Sequence, residues 1–218
     1  QVDFAETAGQ GAGDLLPTDN PMDRLEVSGF GAIDASLVDI GNPHVFIRAK
    51  DVGLKGTETV EEIDGDRNLL ELLEAIRSHA AYRMGMISAP DQGKRESPAT
   101  PIIGMISPPQ DYEAPLSGRI VAASESDFLS RLMFMQQMHK TYAGTSTVCT
   151  GIASKLPGTI VHEACRKEAQ KRKEVRIGHP AGVIETESVV ELKGNNYEVK
   201  RATLGRTARR IMEGVVFA

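Results

Sequence analysis

The stretch Gln137–Thr159, QMHKTYAGTSTVCTGIASKLPGT, gathers an imidazole (His139), an amine (Lys140), a thiol (Cys149) and a row of hydroxyls. They surround what reads as the first turn of a short apolar helix that stops at Pro157-Gly158. A helix starting near Val148 could be capped by Thr145 or Ser146, because either hydroxyl oxygen can accept from a backbone N–H two or three residues on. Free N–H groups and the positive end of the dipole at such a start favour a carboxylate or phosphate, and they lower the pKa of a nearby thiol. The plainer alternative makes Cys149 a small buried hydrophobe and Lys140 a solvated surface amine. For Cys149 the plainer alternative is favoured.

Downstream, Arg176–Gly182, RIGHPAG, is a second candidate. Pro180 fixes one φ and Gly182 permits unusual backbone, so the loop could present His179 and its N–H groups to a ligand, or be an ordinary strand-ending turn. Upstream, Val38–Ile47, VDIGNPHVFI, places Asn42 in a sharp turn between two apolar strands, and most such turns are structural. Residues 23–50 alternate apolar and polar side chains and predict two or three strands joined by tight turns. Between Asp66, an N-cap, and Gly85, a C′ residue, leucines and alanines recur at three- and four-residue steps and predict an amphipathic helix.

The polar, Pro-rich segment 88–101 is expected to be a mobile surface loop, and PIIGMISPP after it a short buried strand. SDFLSRLMFMQQMHKTY fits a helix and equally a strand with Phe128, Ser130, Leu132 and Phe134 on one face. The basic run CRKEAQKRKEV reads as a solvated helix end or loop. SVVELKGNNYEVKRAT predicts a hairpin turning at Gly194, Asn195 and Asn196, with an exit strand ending at GVVFA.

A formal charge of −5 with no long basic block removes the usual basis for phosphate-backbone binding, so nucleic acid is not an expected partner. No apolar run approaches the roughly 18 residues a membrane span needs, and the opening stretch lacks a basic-then-apolar layout. Two cysteines do not make a disulfide scaffold. The expected setting is cytoplasmic, without membrane partners. The five histidines never fall at close metal-ligand spacing and no Gly-rich phosphate signature is present, so neither a metal nor a nucleotide cofactor is expected. The opening QVDFAETAGQGAGDLLPTDNP lacks an initiator Met and reads like a connection inside a larger protein.

Read in order, GDLLPTDNPMDRLEV, ASLVDIGNPHVFIRAKDVGLKGTE, LLEAIRSHAAYRMG, MHKTYAGTSTVCTGIASKLPGT, RIGHPAGVIE and ARRIMEGVVF resemble the PrpF family of methylaconitate isomerases and the related methylitaconate and oxalomesaconate isomerases. The resemblance implies an α+β fold like diaminopimelate epimerase, in which two similar halves each curl a sheet around a central apolar helix. The ligand lies in the cleft between them. On this resemblance the chain corresponds to the C-terminal half only: residues 1–25 are a linker or remnant of the first half, and 26–218 the epimerase-like domain. STVCTGIASK becomes the central helix with its start facing the cleft.

The Lys and Cys regarded as catalytic in the family belong to the first half, so no catalytic residue is expected here and the chain alone is expected to be inactive. The substrate-binding candidates are Lys140, Thr145, Ser146, His179, Pro180, Ala181 and Gly182. Many relatives have Ser where Ala181 stands, which puts one substrate contact in question. The implied ligand is a small unsaturated tricarboxylate, and the implied partner is the missing N-terminal half; self-association into a homodimer is left open.

Shifting or rotating a double bond in such an acid requires removal of a carbon-bound proton and stabilisation of the dienolate formed. Neither step needs a cofactor. Two other readings compete. A Cys–His hydrolase would pair Cys149 with His139 or His179 and needs thiol and imidazole within hydrogen-bond reach. A non-catalytic accessory module would serve an aconitase-like enzyme as partner.

Overall fold

The alternating stretch after Pro21 forms three strands, β2 (Asp23–Val27), β3 (Gly31–Ile40) and β4 (Asn42–Arg48), as the period-two pattern predicts. The structure, a computed structural model, describes residues 1–194, 196–205 and 211–214. The remaining strands of the large sheet are β1 (Val2–Asp3), β5 (Ile102–Ser107), β8 (Phe128–Phe134), β9 (Gln137–Met138), β10 (Glu174–His179), β11 (Gly182–Lys193) and β12 (Asn196–Leu204). Their order is β1-β12-β11-β10-β8-β5-β4-β3-β2, with β9 paired to β8. A separate hairpin joins β6 (Tyr112–Ala114) to β7 (Arg119–Val121). The helices are α1 (Val60–Asp64), α2 (Arg67–Arg83), α3 (Gly93–Glu96), α4 (Gly144–Ala153), α5 (Ile160–Ala164) and α6 (Lys167–Lys171).

Most neighbours pair antiparallel, but β4 with β5 and β10 with β8 run parallel. Helix α4 packs against β3, β4, β10, β11 and β12, strands from both arms of the order, so the sheet curls around it. Alternation along the strands divides the core in two. Val38, Ile40 and Phe46 join Val148, Cys149 and Ile152 of α4, while Leu37, Val45 and Ile47 face Leu73, Ile76 and Ala80 of α2 on the other side. This is an α+β domain with a buried central helix.

Asp66 caps α2, its Oδ1 accepting from Leu69 N–H at 3.0 Å, and Gly85 follows in the left-handed region at φ 73°. The ambiguous segment resolves as strand β8, because Phe128 and Leu132 are needed by the α4 core and Met133 by the α2 core. The basic run forms α6.

The segment expected to be mobile instead contains a 3₁₀ turn at Pro90–Gln92 followed by α3. The physical reason is Arg77, which is 1% exposed. Its buried guanidinium needs acceptors, and the segment supplies them as the carbonyls of Ser97 (2.8 Å) and Thr100 (2.9 Å). Glu74 takes the other side through Nε and Nη2.

The boundary expected between residues 25 and 26 falls inside β2. Val2 pairs with Leu204, and Leu16 lies in the α4 core, so residues before 26 pack into the domain. The expected turn keeps Gly194 between β11 and β12, whereas Asn195 and the exit strand at 214–218 lie wholly or largely outside the described residues.

Gly151 sits mid-helix where Ala would normally be preferred by about 1 kcal/mol. A Cβ there would stand 2.4 Å from Ser188 Oγ and 2.5 Å from Thr186 Cγ2, so α4 lies too close to β11 for a side chain. Gly151→Ala should therefore destabilise by about 1–2 kcal/mol net of the helix gain. Urea unfolding checks this, and a stabilised variant would contradict the close approach.

Candidate active site at the start of the central helix

Helix α4 begins at Gly144 with Ala143 as its N-cap, and no side chain caps it. The expected start near Val148, with Thr145 or Ser146 as cap, is thereby corrected: both residues lie inside the first turn. Their hydroxyls are engaged elsewhere. Asn42 Nδ2 donates to Thr145 Oγ1 at 2.9 Å, and Ser146 Oγ lies 2.8 Å from His44 Nε2. The helical ladder opens with Thr147 N–H donating to Ala143 O at 2.8 Å, so the N–H groups of Gly144, Thr145 and Ser146 have no intrahelical acceptor.

Strand β4 meets this turn through Gly41, whose φ of 70° and close approach to Thr145 leave little room for a side chain. Residues 7–12 close the same corner. Thr7 Oγ1 accepts from Gly41 N–H at 2.9 Å, and Asp39 Oδ2 accepts from the N–H groups of Gly11 (2.7 Å) and Ala12 (2.6 Å). Burial pushes the Asp39 carboxyl up, and those two hydrogen bonds oppose the rise.

His44 is fully buried and stacks on Phe46 at 5.5 Å and 14°. Its Nδ1 lies 2.7 Å from the Asn42 carbonyl oxygen, which can only accept, so Nδ1 carries the proton. Nε2 is then the acceptor for the Ser146 hydroxyl. Burial lowers its pKa to about 4, keeping the ring neutral.

His179 ends β10, and Pro180-Ala181 form the two-residue turn into β11. Its Nδ1 accepts from Ala181 N–H at 3.2 Å, which places the ring proton on Nε2. Burial lowers its pKa to about 4, with the nearby charges of Arg131 and His139 acting in the same direction. Tyr112 OH donates to the carbonyls of both His179 and Gly182, closing the turn from the β6–β7 hairpin.

Among the described residues no hydrogen bond joins the His179–Gly182 turn to the first turn of α4. Tyr142 stands between His179 and the second turn of α4: its ring lies 5.9 Å from that of His179, and its hydroxyl bonds Ser130 Oγ (2.8 Å) and Thr150 Oγ1 (2.9 Å). Lys140 is exposed and has no ion pair or hydrogen bond among the described residues. Thus Thr145 and Ser146 are brought together with Asn42 and His44, while nothing joins Lys140 to them among the described residues. Asn42 was read as a structural turn residue and His44 was not singled out, because their partners lie about a hundred residues away. The GNPH spacing was their only local signal.

Cys149 occupies the second turn, facing the sheet, with 0% exposure and Sγ donating to Val38 O at 3.6 Å. Burial drives its thiol well above the ordinary value, the opposite of the lowering expected at a helix start. Neither His139, bonded to Thr141 N–H, nor His179 reaches it, which leaves the Cys–His hydrolase without its pair. Native protein at neutral pH should therefore leave Cys149 unmodified by iodoacetamide, with alkylation appearing only in denaturant. Peptide mass spectrometry decides, and rapid native labelling would contradict the buried placement. Among the described residues no group of three or more His, Cys, Asp or Glu side chains could hold a metal, and no helix is long and apolar enough to cross a membrane.

Comparison with known proteins agrees with this fold. A solved structure of methylitaconate-delta-isomerase superposes with a TM-score of 0.91 at 47% identity, covering 98% of this chain and 54% of that one. The 3-methylitaconate isomerase of Eubacterium barkeri is 46% identical over 99% of this chain and 55% of its own length. The 2-methyl-aconitate isomerase of Shewanella oneidensis is 37% identical, over 99% and 54% respectively. The chain spans about half the length of the curated relatives it matches. With the model of the PrpF protein family matching residues 1–218, and with the central helix and curled sheet in place, this chain belongs to the PrpF family.

Proposed function

We propose that this chain forms the carboxylate-binding wall of a cofactor-independent isomerase of unsaturated polycarboxylic acids, with methylaconitate or methylitaconate as the substrate class. The reading rests above all on the start of α4. Three first-turn N–H groups without helical acceptors stand beside the half-buried Asn42 amide, in a chain similar to isomerases of such acids. A helix start of this kind favours a carboxylate and takes up the charge that grows on its oxygens as a dienolate forms. Exposed Lys140, shortly before the helix start, would add a positive charge, and His179 would contribute a neutral Nε2–H donor. The groups that move the proton are proposed to lie on the part of the relatives' length that this chain does not span.

The test is steady-state kinetics on an isomerase carrying this chain together with that remaining part. Lys140→Ala should lower kcat/KM by about 1.5–3 kcal/mol, roughly 10- to 150-fold, as for a lost charge-assisted hydrogen bond. Inhibition by trans-aconitate should weaken in parallel. Unchanged kinetics and inhibition would remove Lys140 from the site, and isomerisation by the 218-residue chain alone would overturn the half-site reading.

A further inference from the structure

The contacts of His44 are those of a relay with one allowed direction. The Asn42 carbonyl accepts from Nδ1–H, and Nε2 then accepts from the Ser146 hydroxyl, so both ring nitrogens and the serine proton are committed. The ring is wholly enclosed and reaches no solvent. It thereby ties the first residue of β4 to the first turn of α4, two elements with no chain connection nearby. The same Asn42 uses its side-chain amide on Thr145, leaving its Oδ1 and one N–H uncommitted among the described residues. Two cross-links of 2.8 and 2.9 Å to α4, with the 2.7 Å bond from His44 to the Asn42 carbonyl, thus fix Asn42 relative to the helix-start N–H groups.

We infer that His44 is a positioning residue for substrate: it holds the Asn42 amide and the Gly144–Ser146 N–H groups as one preformed carboxylate receptor, without touching the ligand. This rests on the reading of the α4 start given above. A purely structural histidine would lower stability when replaced and leave affinity in the folded protein unchanged. A positioning residue would weaken binding even where the fold survives.

The experiment is a ¹⁵N NMR titration of the 218-residue chain with citrate as a tricarboxylate probe, for the native sequence, His44→Phe, His44→Gln and Ser146→Ala. Phenylalanine keeps the stacking on Phe46 and removes both hydrogen bonds. Glutamine restores one donor and one acceptor. Citrate should shift the amides of Gly144, Thr145 and Ser146 in the native chain. His44→Phe should raise the Kd at least tenfold, and His44→Gln should recover to within about threefold of the native value. Ser146→Ala, which leaves the imidazole in place, should weaken binding several-fold and serves if His44→Phe does not fold. Imidazole ¹⁵N shifts should report the Nδ1–H tautomer for His44. Native binding that both His44→Phe and Ser146→Ala leave unchanged, or an Nε2–H tautomer, would overturn the inference alone. A native chain whose helix-start amides ignore citrate would overturn the carboxylate-wall reading and the inference together.

Discussion

Arg77→Ala is expected to lower the unfolding free energy by about 3–5 kcal/mol, the cost of leaving a buried charge without its partner. Arg77 and Glu74 face each other at 2.7 and 2.8 Å in the interior, and the same guanidinium holds the carbonyls of Ser97 and Thr100. Burial pushes the Glu74 carboxyl up, and the hydrogen bonds from Arg77, Gln136 and Ser78 bring it net below the usual carboxylate range. Without Arg77 burial dominates, and the Glu74 pKa rises above its unfolded value. Stability carried by a raised carboxyl is present below the unfolded pKa and lost as pH rises. The deficit of the variant should accordingly be largest near pH 7 and shrink toward pH 4.5. Segment 88–101 should lose its anchor as well, so protease cleavage there should accelerate. Urea unfolding at the two pH values, with the double variant Arg77→Met/Glu74→Leu recovering much of the loss, makes the check. A deficit below about 1 kcal/mol at neutral pH would mean that the pair is not enclosed.

The second large effect is on acid stability. His44 and His179 both have folded pKa values of about 4, lowered first by burial, against an ordinary value of 6.5. The unfolded chain therefore binds more protons than the folded one between those limits, and stability must fall as pH drops from about 6.5 to about 4. Each ring contributes about 2–3 kcal/mol across that window. Asp39, whose carboxyl is raised, offsets part of the fall as it protonates. The stability that Asp127 gains from being held below the usual range, against its burial, by Arg176 and Arg172 is present above its unfolded value of 3.8 and is lost mainly below it, outside the window. Unfolding midpoints between pH 7 and 4.5 should fall steadily, and His44→Gln should make the curve shallower. A flat profile would show that the two rings are not enclosed as described.

Local chemistry made part of the fold legible. Helix α2 announced itself because cap, apolar stripe and terminal glycine lie within twenty residues of one another, and its start is the one foreseen. Strand β8 was undecidable because its residues serve different cores on opposite faces, and a short run buried on both faces, with Ser130 and Arg131 among its apolar residues, has no distinctive period. The start of α4 was misplaced by four residues for a related reason. Thr145 and Ser146 look like caps from their neighbours, yet Asn42 and His44, distant in sequence, take both hydroxyls. The structure of segment 88–101 was hidden likewise, since nothing in its own residues says that a buried arginine from α2 will need its carbonyls. For the site, Thr145 and Ser146 were legible as residues at a helix start, and both lie in the first turn of α4. Their actual partners were not, because Asn42 reads as an ordinary turn residue and His44 as one residue of an apolar strand, each about a hundred positions away.

The order of strands in the large sheet also governs how the domain can assemble in time. Val2 pairs with Leu204, so the outermost rung joins two segments separated by nearly every other element. Closing so long a loop costs entropy that only contacts already formed can offset, and contacts this remote slow folding. As the polypeptide emerges, β2, β3 and β4 can zip through neighbouring turns, while β1 must wait until β12 has been made. Its N–H and C=O groups stay unpaired through that interval, and the last rung to close is the one most exposed to mispairing with another nascent copy.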